Sequence, residues 1–86
     1  MKTIYKYRIE GKGIEVPKGA KFISMDYDCN GDLCAWAIVD TDNEMEVKYF
    51  VKFGTGWALP DDDIMSEMTF LGTIQDAPYI WHVFVQ

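Results

Sequence analysis

Leu33 to Val39 reads LCAWAIV, seven consecutive positions without a polar side chain, and it constrains the fold more than any other stretch. A strand of that composition is apolar on both faces and belongs in the middle of a sheet. The runs on either side, Lys21 to Cys29 and Glu44 to Phe53, alternate apolar and polar residues with period two. The three together predict an antiparallel meander.

The Asn30-Gly31 pair between two such runs predicts a two-residue type I′ hairpin, since both central residues of that turn need positive φ. That turn fixes a register in which Tyr27 faces Cys34, Met25 faces Trp36 and Ile23 faces Ile38. A loop over Asp40 to Asn43 would then set Ile38 against Met45, Trp36 against Val47 and Cys34 against Tyr49. One face thereby collects nine residues without a charge, and the agreement of the two registers predicts that face as the core. The opposite face carries Ala35 and Ala37 between charged neighbours, a shallow trough that either accepts a ligand or is covered by the N-terminal strand.

Thr3 to Ile9 alternates as a further strand, and Ile14 to Val16 is a short extended piece stopped by Pro17, which suits an edge. Met68 to Gln75 and Tyr79 to Val85 read as two closing strands joined at Asp76-Ala77-Pro78. The expected fold is one all-β domain over residues 1–86. It is a small antiparallel β-sandwich or open barrel of six to seven strands with a central meander.

Fourteen acidic against eight basic residues give a net charge of −6, which argues against non-specific binding to double-stranded nucleic acid. No apolar run approaches a membrane span, and Lys2 is followed by polar, aromatic sequence rather than a signal-peptide core. Two cysteines without a CxxC pair fit a cytosolic protein. A chain this short buries only about 60–65% of its unfolded surface, so self-association into a homo-oligomer is expected to relieve a thin stability margin.

Five constellations carry potential chemistry. Asp26 to Gly31 opens like a calcium loop but has Ala37 where the bidentate glutamate belongs, and its flanks are strands. Asp61-Asp62-Asp63 with Glu67 gathers acids, yet acids after a proline at a helix start complement the helix dipole. His82 stands alone on an apolar strand with no nucleophile at a recognisable spacing, and Cys34 is placed in the core, where a thiol is inert. Neither a metal nor a cofactor is expected. The fifth is Gly54-Thr55-Gly56-Trp57. Its glycines let backbone N–H groups approach an anion, Thr55 offers a hydroxyl, and Trp57 can stack on a base. The same four residues also read as a tight turn with Trp57 as a lid on the core.

The opening MKTIYKY, the VPKGAK segment from Val16, WAIVD at Trp36 to Asp40, FGTG at Phe53 to Gly56 and the closing FLGT…HVF follow one another along nearly the whole chain. In this the sequence resembles a family of small uncharacterised proteins encoded by bacteriophages and prophages. The resemblance implies an accessory protein of the host-cell cytosol and no particular activity.

The expected function is therefore a non-enzymatic, counter-defence binding protein that sequesters a small nucleotide-like ligand as a homo-oligomer. Its contacts would be Gly54, Thr55, Gly56 and Trp57 with Lys48 and Lys52. An alternative is an inhibitor that binds a host defence protein through an acidic, aromatic surface at Glu44, Glu46, Asp61, Asp62 and Asp63. A virion structural or assembly protein is a third reading.

Overall fold

The computed structural model describes residues 1–86. The elements follow as β1 (Lys2–Arg8), β2 (Ile14–Pro17), β3 (Lys21–Tyr27), β4 (Leu33–Asp40), β5 (Met45–Lys48), β6 (Phe50–Gly54), α1 (Asp62–Met65), β7 (Thr69–Asp76) and β8 (Tyr79–Val85). The eight strands form three small antiparallel sheets, β1-β4-β3, β2-β5 and β6-β8-β7, with no closed barrel.

The all-apolar β4 is central in its sheet, as its composition demands, but its neighbours are β1 and β3 rather than β3 and β5. The meander is therefore corrected: β5 leaves β4 and pairs with β2, Val16 opposite Glu46. The Asp40–Asn43 turn directs this. The Asn43 side-chain amide donates to the Lys18 carbonyl at 2.9 Å and the Lys18 N–H to the Glu44 carbonyl at 2.7 Å, drawing the chain toward β2.

The first hairpin is also corrected, by one residue. Only Gly31 has positive φ, at 81°, so the turn is not type I′. Instead Cys29, Asn30 and Gly31 form a three-residue loop closed by the Asp28 N–H on the Asp32 carbonyl at 2.9 Å. The cause is Asp28, whose Oδ1 accepts the N–H groups of Asn30 at 2.9 Å and Asp32 at 3.0 Å. An aspartate that bonds its own backbone in this way favours a wider turn with glycine in the left-handed position. Tyr27 thus pairs with Leu33 and Met25 with Ala35, and a bulge at Ile23 sets Phe22 opposite Ala37.

A one-residue slip reverses the faces. The core is built on the expected trough: Ala35, Ala37 and Val39 are buried, together with Val16, Val83 and Val85. The small alanines leave room for β2 to pass close to β4, with Val16 fully buried. Most of the expected core face is instead solvent-facing, with Ile23, Tyr27, Ile38, Met45, Val47 and Tyr49 all between 39% and 54% exposed. Cys34 is buried, but on the outer side, beneath Asp28.

The expected Glu44–Phe53 strand breaks at Tyr49, which exchanges two backbone hydrogen bonds with Gln86 at 3.0 and 2.8 Å. This hands the chain from the second sheet to the third. Aromatics join the first sheet to the third: Tyr7 meets Phe22 in a tilted arrangement at 6.0 Å between centroids within the first sheet, and Phe22 meets Phe50 of the third edge-to-face at 5.6 Å. The molecule is thin, 41 × 36 × 19 Å, and only eight residues are buried, so much apolar surface stays at the exterior.

Candidate functional site

β6 ends in Gly54-Thr55-Gly56-Trp57, a tight turn in which the Trp57 N–H donates to the Gly54 carbonyl at 3.1 Å. Gly56, with φ of 87°, occupies the third position that a type II turn reserves for glycine. The turn folds the Trp57 indole back onto the strand end. A Cβ on Gly54 would lie 2.7 Å from the indole nitrogen, so a glycine there is what lets the ring approach. Trp57 meets Trp81 edge-on at 5.3 Å, Tyr79 stacks on Trp81 at 5.3 Å, and Lys52 Nζ stands 5.2 Å over the Trp81 ring. Lys52 thus belongs to the aromatic cluster beside the loop, held by the ring quadrupole.

Beneath this turn lies a groove of about 250 Å³ walled by Phe53, Trp57, Leu59, Phe70 and Phe84, with Thr55 and His82 as polar members. β8 pairs with β6 on one side and β7 on the other, setting His82 between Phe53 and Thr73. Its Nε2 lies 2.7 Å from Thr55 Oγ1 and its Nδ1 3.0 Å from Thr73 Oγ1. A neutral imidazole donates to one hydroxyl and accepts from the other, so the ring is fixed at both ends. The Thr55 N–H donates to the Ile80 carbonyl at 3.3 Å and that of Trp57 is used in the turn, so these N–H groups are not aimed outward at an anion.

Lys48 is elsewhere. It pairs with Glu46 at 3.5 Å and lines a second groove of about 260 Å³ with Lys21, Phe22, Glu67, Phe70 and Val85, at the junction of all three sheets. A third groove, of about 320 Å³, is lined by Lys2, Lys18, Lys21, Ile38, Asp40 and Asn43. The acidic candidates are dispersed. Glu44 pairs with Lys18 at 3.5 Å, and Glu46 accepts the Gly19 N–H at 3.0 Å, which lowers its pKa. Asp61 caps α1 through its backbone without a side-chain bond, and Asp62 and Asp63 fill the first turn.

Asp28 is bound most fully. The Asp32 N–H, then the Lys6 ammonium at 3.1 Å, hold its carboxyl at a pKa of about 2. Burial chiefly pushes the neighbouring Cys34 thiol up, away from the reactive thiolate. The outer face of the first sheet exposes Ile4, Ile23 and Ile38 around Trp36.

Sequence reasoning reached Gly54 to Trp57 but not the bracketing of His82, which needs the pairing of β6, β8 and β7. It also missed the convergence of Lys2, Lys18 and Lys21, whose signal is absent from a linear reading because two strands and a turn contribute.

Fold and grooves define a thin, three-sheet, all-β protein with an aromatic groove and an apolar sheet face. The chain matches the family described as Domain of unknown function (DUF7352) over residues 1–86, and it belongs to that family. No curated protein and no solved structure matches it. No helix is long and apolar enough to cross a membrane.

Proposed function

We propose that the chain is a non-enzymatic binding protein that holds a small nucleotide-like ligand by its planar base in the groove beneath Trp57 and works as a homo-oligomer. The observation that carries this reading is the groove itself, in which Phe53, Trp57, Phe70 and Phe84 supply aromatic surface around the fixed Thr55–His82 pair. Stacking a base on such rings contributes about 1–3 kcal/mol per base, and a few fixed polar groups orient it. Both His82 ring nitrogens are engaged by threonines, which suits positioning rather than proton transfer. The oligomer is supported by the exposed Ile4, Ile23 and Ile38, an apolar patch of the kind that marks contact surfaces. Together with the resemblance to phage and prophage proteins, this gives a counter-defence role in the host cytosol, by removal of a nucleotide signal.

Titration with adenosine, followed by tryptophan fluorescence, tests the reading. Binding to the wild type that weakens at least tenfold in Trp57→Ala supports it, and equal affinity in the two proteins refutes it.

A second reading is an inhibitor of a host protein. It is favoured by the same outer face and by Asp61, Asp62 and Asp63, which form no ion pair and stay exposed. Low-salt capture of one host polypeptide that survives Asp61, Asp62 and Asp63 all changed to Asn would remove the acidic part of that reading.

A further inference from the structure

In a chain of net charge −6, three of the eight basic residues line one groove. The register explains how. Lys2 pairs with Asp40 and Lys21 with Ile38, so β1 and β3 present the two lysines on the same face, on opposite sides of the end of β4. Strands about 4.8 Å apart, with a two-residue offset of about 6.6 Å along β4, put these two lysines roughly 12 Å apart, a span that two flexible four-carbon stems close around one anion. Lys18 comes from the turn that follows β2. Neither Lys2 nor Lys21 has a carboxylate within ion-pair distance, while Lys18 is held only by the exposed Glu44 at 3.5 Å. The one acid lining this groove, Asp40, is already engaged by the Asp42 N–H at 3.0 Å and by the Met1 ammonium at 3.3 Å. Clustering unpaired like charges costs stability, and an acidic protein has carboxylates at hand to neutralise them.

Lys21 also lines the neighbouring groove with Lys48, which pairs with Glu46 at 3.5 Å, and with Glu67, Phe22 and Phe70, and Phe70 is in turn a wall of the groove beneath Trp57. Neighbouring depressions thus share a lining residue, Phe70 and then Lys21, and Lys21 stands at the start of β3 between a groove on its Phe22 side and one on its Ile38 side.

We infer that the two grooves meeting at Lys21 are an anion site for the phosphate chain of an organic polyphosphate. Lys2, Lys18, Lys21 and Lys48 neutralise the phosphates, and Phe70 continues the path toward the base groove. This rests on the proposed nucleotide reading for the other end of the ligand, while the anion site stands on the lysines alone.

The two ends are tested separately by isothermal titration of the intact protein with tripolyphosphate, adenosine and ATP, at low and at physiological salt. Tripolyphosphate should bind the wild type, weaken with added salt, lose at least tenfold in affinity in Lys21→Gln and be unchanged in Trp57→Ala. ATP should lose affinity in both variants. Lys21 is exposed, so its neutralisation leaves the fold intact, and the double change Lys2→Gln with Lys18→Gln gives an independent loss. Failure of tripolyphosphate to bind, or equal binding by Lys21→Gln, overturns the anion site and leaves the lysines as guards of the two sheet edges. Lys21-dependent tripolyphosphate binding with no adenosine binding keeps the anion site and rejects the base groove.

Discussion

Val83 and Val47 are the same residue in opposite situations, and replacing each by alanine tests which faces of the sheets form the core. Val83 is fully buried, whereas Val47 is 51% exposed on a face that hydrophobic alternation alone would assign to the interior. Losing two buried carbons at about 0.8 kcal/mol each, plus the cavity left behind, makes Val83→Ala cost about 2–3 kcal/mol. For a chain of 86 residues, an unfolding entropy of about 2.1 cal/mol/K per residue converts each kcal/mol into roughly 5–6 °C. Val83→Ala should therefore lower the Tm by about 10–18 °C, and Val47→Ala, which loses about half as much buried surface and leaves no closed cavity, by less than about 5 °C. Thermal unfolding followed by circular dichroism at fixed protein concentration reads both. Equal losses, or a larger loss at Val47, would refute the assignment of Ala35, Ala37 and Val39 to the core.

Three further predictions follow from single contacts. The Tyr7 hydroxyl is buried without a hydrogen-bond partner, and burial raises its pKa, so Tyr7→Phe should stabilise the protein by about 1 kcal/mol, read as a rise in Tm. Asp28, held at about 2 against its ordinary 3.8, contributes stability that is present above 3.8 and lost as pH falls toward 2. Melting curves of the wild type and Asp28→Asn should accordingly differ at neutral pH and converge in acid, and a constant gap would contradict the role of the charge. Gly54→Ala puts a Cβ 2.7 Å from the Trp57 indole and should expel the ring, red-shifting tryptophan emission, while Gly72→Ala, opposed only by the flexible Met25 Cε at 2.8 Å, should leave emission unchanged.

The all-β class, most strand positions and the central place of β4 were legible because composition and period-two alternation act locally, while the single strand expected over Glu44 to Phe53 is two, β5 and β6. The face of the core was not legible, and the reason is local as well. Asn30-Gly31 carries the signature of a two-residue turn, but the Asp28 carboxylate captures the N–H groups of Asn30 and Asp32 and widens the loop by one residue. The second register failed because β2, a four-residue strand ending in Pro17, competes for β5 through the Lys18 and Asn43 contacts. Two registers that share one assumption about which strands are neighbours agree without supporting each other. At the candidate site, Gly54 to Trp57 stood out because glycine spacing is a local signal. Lys48, two residues beyond Glu46 on β5, lies near that loop in sequence, but the break at Tyr49 carries it to another groove.

Native mass spectrometry with ATP tests both halves of the proposed function at once, a nucleotide-like ligand beneath Trp57 and an assembly of identical chains. The expected spectrum is a discrete oligomer that takes up one nucleotide per chain, with uptake weakened in Trp57→Ala while the oligomer persists. A monomer that remains free of nucleotide at millimolar ATP would contradict it.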